Sequence, residues 1–366
     1  LTDSLSWNWV FFVNIPLAGP VIFLLIKYFP DSSIESDPEK RRLDYVGMVL
    51  LVISVVSFIL GISLGGVQYA WNAPQVIGLI MVGLLSAAVL IYVELRVTNP
   101  VLALRLFKER MVSVGLALTL LTGFAMFGAI IFVPLYFQGV LGASATSSGT
   151  FLTPMMLGVV AGASISGQVL SRTGGHFRIQ GLLGIGVMAL GVFLFSNLGS
   201  DSAYGMAVTF IIILGFGLGS TFPTLTLAVQ NFTSPDTIGA ATSLTQFART
   251  IGGLIGLSAL GSVLSMRFED KLEKGIMGLE IEVPPLALEE LKNNPRALID
   301  SESKSFILDA TSAEIGSDSF NIVVEVLKGS LSGAITDVFN VALAVLLVSI
   351  VIGFFLNKTG FQKRNG

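Results

Sequence analysis

The chain has no cysteine and one histidine, His176, in 366 residues. The lack of cysteine excludes disulfides, thiol catalysis and thiolate metal sites within this sequence. A single histidine cannot supply a two-histidine metal site, and the H-E-x-x-H pattern is absent. Paired carboxylates, an activated serine or a repeated ring of charges do not converge anywhere along the chain. We therefore expect no enzyme, no channel, no metal and no cofactor.

Charged residues are also scarce. They make up 12% of the sequence, while hydrophobic residues make up 53% and the mean hydropathy is +0.82. Soluble domains contain about a quarter charged residues. The composition predicts an all-α polytopic protein of the lipid bilayer, without a nucleic-acid partner.

Apolar runs long enough to cross about 30 Å of hydrocarbon recur along the chain. A long polar segment over 266–333, with 285–293 as a short amphipathic helix, precedes the last run. The predicted crossings number about nine and cover 7–29, 45–64, 76–95, 112–136, the run from 151 to the basic turn at 172–178, 179–198, 204–222, 235–264 and 334–356.

Basic loops alternate with neutral ones, which sets the expected orientation in the cell membrane. Basic residues fall at 40–42, 96–110, 172–178 and 358–364, whereas the loop 231–238 has none. The alternation predicts an extracytoplasmic start of the chain, a cytoplasmic C-terminus and an extracytoplasmic 266–333 loop. Residue 1 is Leu, and no charged segment or cleavage site precedes the first apolar run, so we expect a fragment that lacks an N-terminal part.

The fifth run carries a stripe of small residues and ends in a tight turn. Gly158, Gly162 and Ser166 recur every four residues, so they share one helical face and allow a neighbouring helix to approach closely. Gly174 and Gly175 can adopt positive φ in the basic turn that follows.

This turn resembles the second copy of the signature loop of the major facilitator superfamily, roughly G-x-x-L-x-D-R-x-G-R-R. Ser171 stands where that pattern has Asp, and Gly175 stands where it often has Arg. A basic loop that only fixes topology is the alternative interpretation. The residues that carry the resemblance are Gly167, Leu170, Arg172, Gly174 and Arg178.

Two further stretches are similar to the fourteen-helix drug:proton antiporter branch of that superfamily. They are W-x-W-x-F-x-x-N-x-P at 7–16 and NPVLALRLFKER at 99–110. The resemblance implies that 1–29 is the last helix of an N-terminal bundle, 30–110 holds two linker helices with cytoplasmic loops, and 111–366 is a C-terminal six-helix bundle. Five helices, the rest of the N-terminal bundle, would be missing, and the protein would be a monomer.

The same resemblance implies a proton-coupled antiporter that exports lipophilic or cationic drugs and related amphiphiles by alternating access. A dedicated exporter of one metabolite, siderophore or lipid is the alternative within the class. A membrane scaffold that transports nothing is the alternative outside it.

Arg249 is the polar residue most isolated within an apolar helix. Counted from Pro235, it lies about 20 Å along its helix. An arginine at the bilayer centre costs on the order of 3 kcal/mol on insertion scales, which suggests a function. Alternatively, the preceding stretch GAATSLTQ lies outside the hydrocarbon and Arg249 extends to the cytoplasmic face.

Other candidates are grouped by role. Substrate contacts are predicted from aromatic rings, from flexible methionine side chains and from polar side chains that lie within apolar helices. Contact with lipid or packing between helices also explains such residues. Proton coupling needs a carboxylate within the membrane, and the nearest are Glu94 and Asp337, each near the end of its helix, where an interfacial position is the alternative. Asp337 is the local candidate for proton coupling, and the family resemblance implies that the main proton carrier lies in the missing part. The predicted substrate residues are Phe124, Phe127, Tyr136, Gln138, Thr153, Met156, Phe216, Gln246 and Arg249. The predicted conformational residues are Gly252, Gly253 and Gly256, which packing alone also explains, with Gly167, Arg172, Gly174 and Arg178.

Overall fold

The computed structural model describes most of the chain as helix. The described residues are 8, 12, 14–28, 44–65, 69–97, 100–102, 104–143, 145–200, 202–277, 279 and 317–356. Within them the chain forms nine α-helices. They are α1 Asn14–Tyr28, α2 Tyr45–Leu64, α3 Pro74–Glu94, α4 Arg110–Leu135, α5 Ala145–Arg172, α6 Phe177–Ser196, α7 Tyr204–Asn231, α8 Ile238–Met277 and α9 Ser317–Gly353.

Shorter helical turns join some of these helices. A 3₁₀ turn at Leu104–Lys108 precedes α4, a π-helical turn at Tyr136–Val140 continues α4, and a 3₁₀ turn at Pro235–Thr237 precedes α8. Pro235 suits such a start because its missing N–H would have no helical partner there.

The chain divides into two compact units, 1–43 and 44–366. The described part of the first unit is essentially α1, an apolar helix of 15 residues with Pro20 inside it. At 1.5 Å per residue α1 is about 22 Å long, less than the hydrocarbon thickness. The predicted crossing at 7–29 is thus only partly described.

Eight helices in the second unit are long and apolar enough to cross a membrane. They coincide with the predicted second to ninth crossings. The prediction of an all-α polytopic membrane fold is confirmed by these helices.

The helices on both sides of the predicted 266–333 loop extend into that range. α8 continues to Met277 instead of ending near Leu264, and α9 begins at Ser317 instead of Ala334. Hydropathy marks where lipid contact ends, whereas a helix continues while its side chains still pack, as Phe268 and Leu272 do here. The predicted amphipathic helix at 285–293 lies outside the described residues.

The helices α4 to α9 form one bundle with a continuous apolar core. α4 packs against α7, α8 and α9, while α7 packs against both α5 and α6. The hairpin of α2 and α3 pairs mainly with itself and touches the bundle at α8. Only 17% of each hairpin span is buried, so apolar side chains cover its outer surface as expected for contact with lipid.

The α5–α7 contact is built on the predicted small-residue stripe. A Cβ added to Gly158 would lie 2.5 Å from the carbonyl oxygen of Ile212, and one added to Gly219 would collide with the carbonyl of Val159. Ser166 Oγ donates to the carbonyl oxygen of Ser220 at 2.9 Å. The close approach predicted for this face is therefore confirmed.

The α4–α8 contact uses the same principle. A Cβ on Gly256 would lie 2.6 Å from the carbonyl oxygen of Phe124, and one on Gly252 would collide with the carbonyl of Leu120. At Gly123 the roles are exchanged, since this glycine is on α4 and lies against the backbone of Arg249 on α8. These contacts bring the backbone of Arg249 close to α4 and leave its side chain to reach the neighbouring helix α7.

Candidate functional site

One side of α8 carries polar residues that the bundle does not bury. The opposite side holds the fully buried Ala241 and Thr245, so the two sides follow the helical period. A polar face that is partly exposed in a membrane helix requires water or another polar surface beside it. The residues on this face are Thr242, Ser243, Gln246, Arg249 and Thr250.

Two contacts hold the Arg249 guanidinium, one within α8 and one across to α7. Its Nη1 donates to Gln246 Oε1, one turn earlier on α8. Its guanidinium carbon lies 4.1 Å from the ring centroid of Phe222 on α7, a cation–π geometry. Nε and Nη2 are buried and have no hydrogen-bond partner. These two nitrogens carry three N–H donors that are still to be satisfied.

A second polar contact joins the same two helices. Gln230 Nε2 on α7 donates to Thr242 Oγ1 on α8 at 2.7 Å. We call Phe222, Gln230, Thr242, Gln246 and Arg249 the α7–α8 polar strip. Of the predicted substrate residues, the structure brings Gln246 and Arg249 together in this strip. Phe222 and Gln230 were missed, because their role depends on a contact between helices.

Two predicted substrate residues lie in the bundle packing instead. Tyr136 is 1% exposed, donates its hydroxyl hydrogen to the carbonyl oxygen of Gly199 at 2.7 Å, and stacks edge-on against Phe195. Phe124 is buried beside Gly256. In this conformation neither ring offers a surface to a substrate.

The remaining predicted substrate residues are more accessible. Phe127 is half-buried with its ring against Gly253, and Phe216 on α7 is half-buried. Thr153 and Met156 are exposed on α5, and Gln138 is half-buried in the π-helical turn after α4. They lie on α4, on the π-helical turn that continues it, on α5 and on α7.

The turn that resembles the signature loop closes α5 with two left-handed glycines. Gly174 has φ of 73° and Gly175 has φ of 86°, and the Gly175 N–H donates to the carbonyl oxygen of Leu170 at 3.0 Å. This is the six-residue closure typical of a helix that ends in glycine. Arg172 is exposed, and Arg178 lies over the ring of Phe354 at 5.6 Å. Gly167 has open space around it.

Gln180 is a buried polar residue that the sequence analysis missed. Its Nε2 donates to Ser166 Oγ on α5 at 2.6 Å, and Ser166 Oγ lies 3.0 Å from Thr224 Oγ1 on α7. Its Oε1 has no partner. The cluster of Ser166, Gln180 and Thr224 thus joins three helices next to the basic turn. The sequence did contain a signal for this cluster, because Gln180 is a polar amide within an apolar run, two residues after Arg178.

Asp337, in the middle of α9, lies beside two cations near the C-terminal end of α8. Its Oδ2 is 3.3 Å from Lys271 Nζ and 3.7 Å from Arg267 Nε. The carboxylate is thus ion-paired instead of isolated in hydrocarbon. A neighbouring cavity of about 670 Å³ is lined by Val263, Met266, Arg267, Asp270, Asp337, Asn340, Val341 and Ala344. No group of three potential metal ligands occurs among the residues that the structure describes.

The fold and this site define a polytopic membrane protein with a polar strip inside an apolar helix bundle. The Major Facilitator Superfamily profile matches residues 1–257. The chain therefore belongs to the Major Facilitator Superfamily.

Several curated proteins are similar to the chain along most of its length. It is 34% identical to the multidrug transporter protein MdtP of Bacillus subtilis over 97% of the chain and 65% of that relative. It is 31% identical to multidrug resistance protein 3 of the same organism over 98% of the chain and 66% of that relative. The chain thus spans just under two thirds of the length of these two relatives. They are named for transport or drug resistance and not for an enzymatic reaction.

More distant matches carry similar names. An uncharacterized MFS-type transporter of Mycobacterium tuberculosis is 30% identical over 82% of the chain and 44% of that relative. A solved bacterial homolog of the human lysosomal transporter Spinster covers 84% of the chain and 68% of its own length, at 15% identity and a TM-score of 0.42.

Proposed function

We propose that the protein is a secondary transporter that exports lipophilic or cationic drugs and related amphiphiles in exchange for protons. The observation that carries this proposal is Arg249, held on the α7–α8 polar strip with two buried nitrogens that have no hydrogen-bond partner. A secondary transporter needs such a site near the bilayer midplane, between two bundles that move by alternating access.

The strip has the properties of a pathway surface. Its polar face on α8 is partly exposed, whereas the rest of the helix is apolar or packed against α4. Lipid is a poor environment for Gln246 and Arg249, since polar groups in hydrocarbon lose hydrogen bonds to water. A water-filled path or a second bundle therefore faces the strip.

Exposed side chains on α5 offer an apolar surface that could contact substrates of different shapes. Met156 is 44% exposed, and methionine fits ligands of different shapes. The names of the relatives MdtP and multidrug resistance protein 3 favour drugs as substrates.

The organisation of the whole protein is part of the same proposal. We infer a fourteen-helix protein in which 1–29 ends the N-terminal bundle, 30–110 forms the linker hairpin and 111–366 forms the C-terminal bundle. The missing five helices would supply the opposite wall of the pathway and the main proton carrier. Asp337, with its two ion pairs, is the proposed secondary site for proton coupling.

Efflux assays on the full-length protein test the proposal. Efflux-deficient cells would be loaded with ethidium, and its loss followed with and without a collapsed proton gradient. We expect gradient-dependent efflux that Arg249→Ala lowers at least about tenfold, because an interaction worth more than about 1.4 kcal/mol in the transport step is lost. Arg249→Lys should restore only part of it, since lysine cannot both stack on Phe222 and bind Gln246 as a planar group.

Lys274→Ala provides a matched control, because Lys274 is an exposed cation at the far end of the same helix. Its efflux should equal that of the unmodified protein. Efflux that persists in Arg249→Ala would remove Arg249 from the pathway. No efflux of ethidium or other amphiphiles despite normal membrane expression would contradict multidrug export.

A further inference from the structure

The cavity of about 670 Å³ between α8 and α9 changes from apolar to charged along its length. The two helices run in opposite directions, since Lys271 on α8 contacts Asp337 on α9 and the cavity wall pairs Val263 with Ala344 further on. Val263 and Ala344 therefore lie at one end, and Asp270 and Asp337 lie at the other. About 10 Å of helix separates the two ends. We call this space the α8–α9 cavity.

The charged end of the α8–α9 cavity is expected at the surface of the hydrocarbon. Asp337 lies about 24 Å along α9 from Gly353, the last residue of that helix. With the predicted cytoplasmic end of α9 at one face of the membrane, this distance reaches close to the other edge of a hydrocarbon core about 30 Å thick. The apolar end then lies among acyl chains, and the charged end lies beside lipid head groups.

Asn340 is a second indication that a polar ligand binds here. It is exposed and lines the cavity, within the apolar stretch VFNVALAVLL of α9. Its side chain has no hydrogen bond to any residue that the structure describes. An amide at the edge of the hydrocarbon is unfavourable without a partner. A ligand with polar groups would provide that partner.

The acidic side chains of the cavity have basic partners, whereas Arg267 keeps most of its donors. Lys271 Nζ lies 3.3 Å from Asp337 Oδ2. Lys274 Nζ lies 2.9 Å from Asp270 Oδ2. Arg267 approaches Asp337 only through Nε, at 3.7 Å, and its side chain is 58% exposed. It donates no hydrogen bond to the residues that the structure describes, so both terminal nitrogens can bind an anionic oxygen.

We propose that the α8–α9 cavity binds a phospholipid with an ethanolamine head group, in the leaflet predicted to be the outer one. Arg267 donates to the phosphate as a planar group with two parallel N–H donors. Asp270 is three residues further along α8, a spacing that places the two Cβ atoms about 5–6 Å apart. It accepts from the ammonium group, which two carbon atoms join to the phosphate ester.

The rest of the lipid follows the cavity into the membrane. Asn340 lies between the charged and apolar ends, at the depth of the acyl ester groups, and its amide N–H donates to an ester carbonyl oxygen. One acyl chain lies against Val263 and Ala344. Val263 is about 21 Å along α8 from Arg249, so this site is separate from the α7–α8 polar strip and does not depend on the proposed export.

The charges of the cavity favour this head group over others. A cationic amphiphile without a phosphate would be repelled by Arg267, because each aspartate already has a lysine partner. An anionic glycerol head group has no ammonium for Asp270. A choline head group carries a cation without N–H donors, so it cannot donate a hydrogen bond to that carboxylate.

Native mass spectrometry of the full-length protein, purified in detergent, measures this binding. Dioleoyl phospholipids with ethanolamine, choline and glycerol head groups would be titrated separately, and the dissociation constant of the first bound lipid determined. We expect the ethanolamine lipid to bind at least about fivefold more tightly than the other two, as one additional hydrogen bond would give. Phosphoethanolamine without acyl chains should bind more weakly than this lipid, since it cannot use the apolar end of the cavity.

Four substitutions assign the binding to the cavity. Arg267→Gln and Asn340→Val should each weaken binding of the ethanolamine lipid at least about fivefold. Asp270→Ala should abolish the preference for ethanolamine over choline. Glu269→Ala is the matched control, because Glu269 is an exposed carboxylate beside Asp270 that does not line the cavity, and it should leave both results unchanged. Should Arg267→Gln not fold, Asn340→Val still tests the site, since valine suits the exposed face of a membrane helix.

Equal affinities for the three lipids would overturn the proposal, and so would tighter binding of the glycerol lipid. Binding that both Arg267→Gln and Asn340→Val leave unchanged would place the lipid elsewhere on the protein. A preference for ethanolamine that Glu269→Ala abolishes as Asp270→Ala does would reflect general surface charge. Phosphoethanolamine that binds as tightly as the lipid would make the cavity a site for a soluble phosphate compound.

Discussion

A guanidinium in a membrane helix needs several partners, and Arg249 has one amide oxygen and one aromatic ring. The sequence alone indicated that Arg249 is unusual, because it follows a weakly polar stretch in an apolar helix. It could not indicate Phe222, since that ring lies on α7 and no sequence period connects the two positions. An isolated polar residue in an apolar helix can thus be predicted from the sequence, whereas its partners on other helices cannot.

Gln180 provides a test at the same scale. Its replacement by leucine removes the hydrogen bond to Ser166 while keeping a side chain of similar size. We expect Gln180→Leu to lower the free energy of unfolding by about 1 kcal/mol, the magnitude typical of polar contacts between membrane helices. Denaturant unfolding of the purified full-length protein measures the change.

Gln168→Leu is the matched control, since Gln168 is exposed on α5 two residues after Ser166. It should leave stability unchanged. Equal stability for both variants would show that the contacts of Gln180 contribute no net stabilisation. The amide would then serve only to orient α6 at the basic turn.

At the scale of elements, glycine spacing makes a sharp prediction for α8. A Cβ at Gly252 would collide with the carbonyl of Leu120, whereas one at Gly261 meets nothing within 4 Å. Gly252→Ala should therefore destabilise the protein by about 1–3 kcal/mol through overpacking. Gly261→Ala should be neutral or stabilise it by up to about 1 kcal/mol, because alanine has the higher helix propensity.

The same denaturant unfolding assay compares the two variants. A Gly252→Ala protein as stable as Gly261→Ala would mean that α4 and α8 do not approach as closely in the folded protein. Efflux by both variants should be measured in parallel, since Gly252 is also a predicted conformational residue. Efflux lost without loss of stability would support that second role.

The bounds of a helix were predicted well where the helix ends together with its apolar run, and poorly where the helix continues beyond that run. The runs at 45–64 and 204–222 correspond to α2 and to most of α7. α8 and α9 extend well past their apolar runs, with a Lys274–Asp270 pair at 2.9 Å stabilising the last turns of α8. The glycine face of α5 was predictable because small residues recur every four positions, but its partner α7 was not.

At the scale of the whole molecule, the expected orientation can be tested by labelling. The chain has no cysteine, so single cysteines can be introduced without removing native ones from it. Ser200 follows α6, and Arg105 precedes α4; both are exposed. The predicted topology places Ser200 outside the cell and Arg105 in the cytoplasm.

A membrane-impermeant maleimide on intact cells should label Ser200→Cys. It should label Arg105→Cys only after permeabilisation. Thr173→Cys, in the basic turn after α5, is a second position expected inside. Labelling of Arg105→Cys instead of Ser200→Cys in intact cells would reverse the orientation. Labelling of both sites would contradict the three crossings, α4, α5 and α6, that lie between them.

The contacts of α5 with α7 and of α4 with α8 have an evolutionary consequence. In both, a glycine on one helix lies against a carbonyl oxygen of the other, as at Gly158 and Gly256. Helix spacing is thus fixed by main-chain atoms, and a side chain on an outward face can change without altering it. Such a framework leaves the outward-facing side chains free to vary while the spacing of these helix pairs stays the same. A single substitution on an outward face of either helix pair therefore needs no compensating change at the contact between the helices.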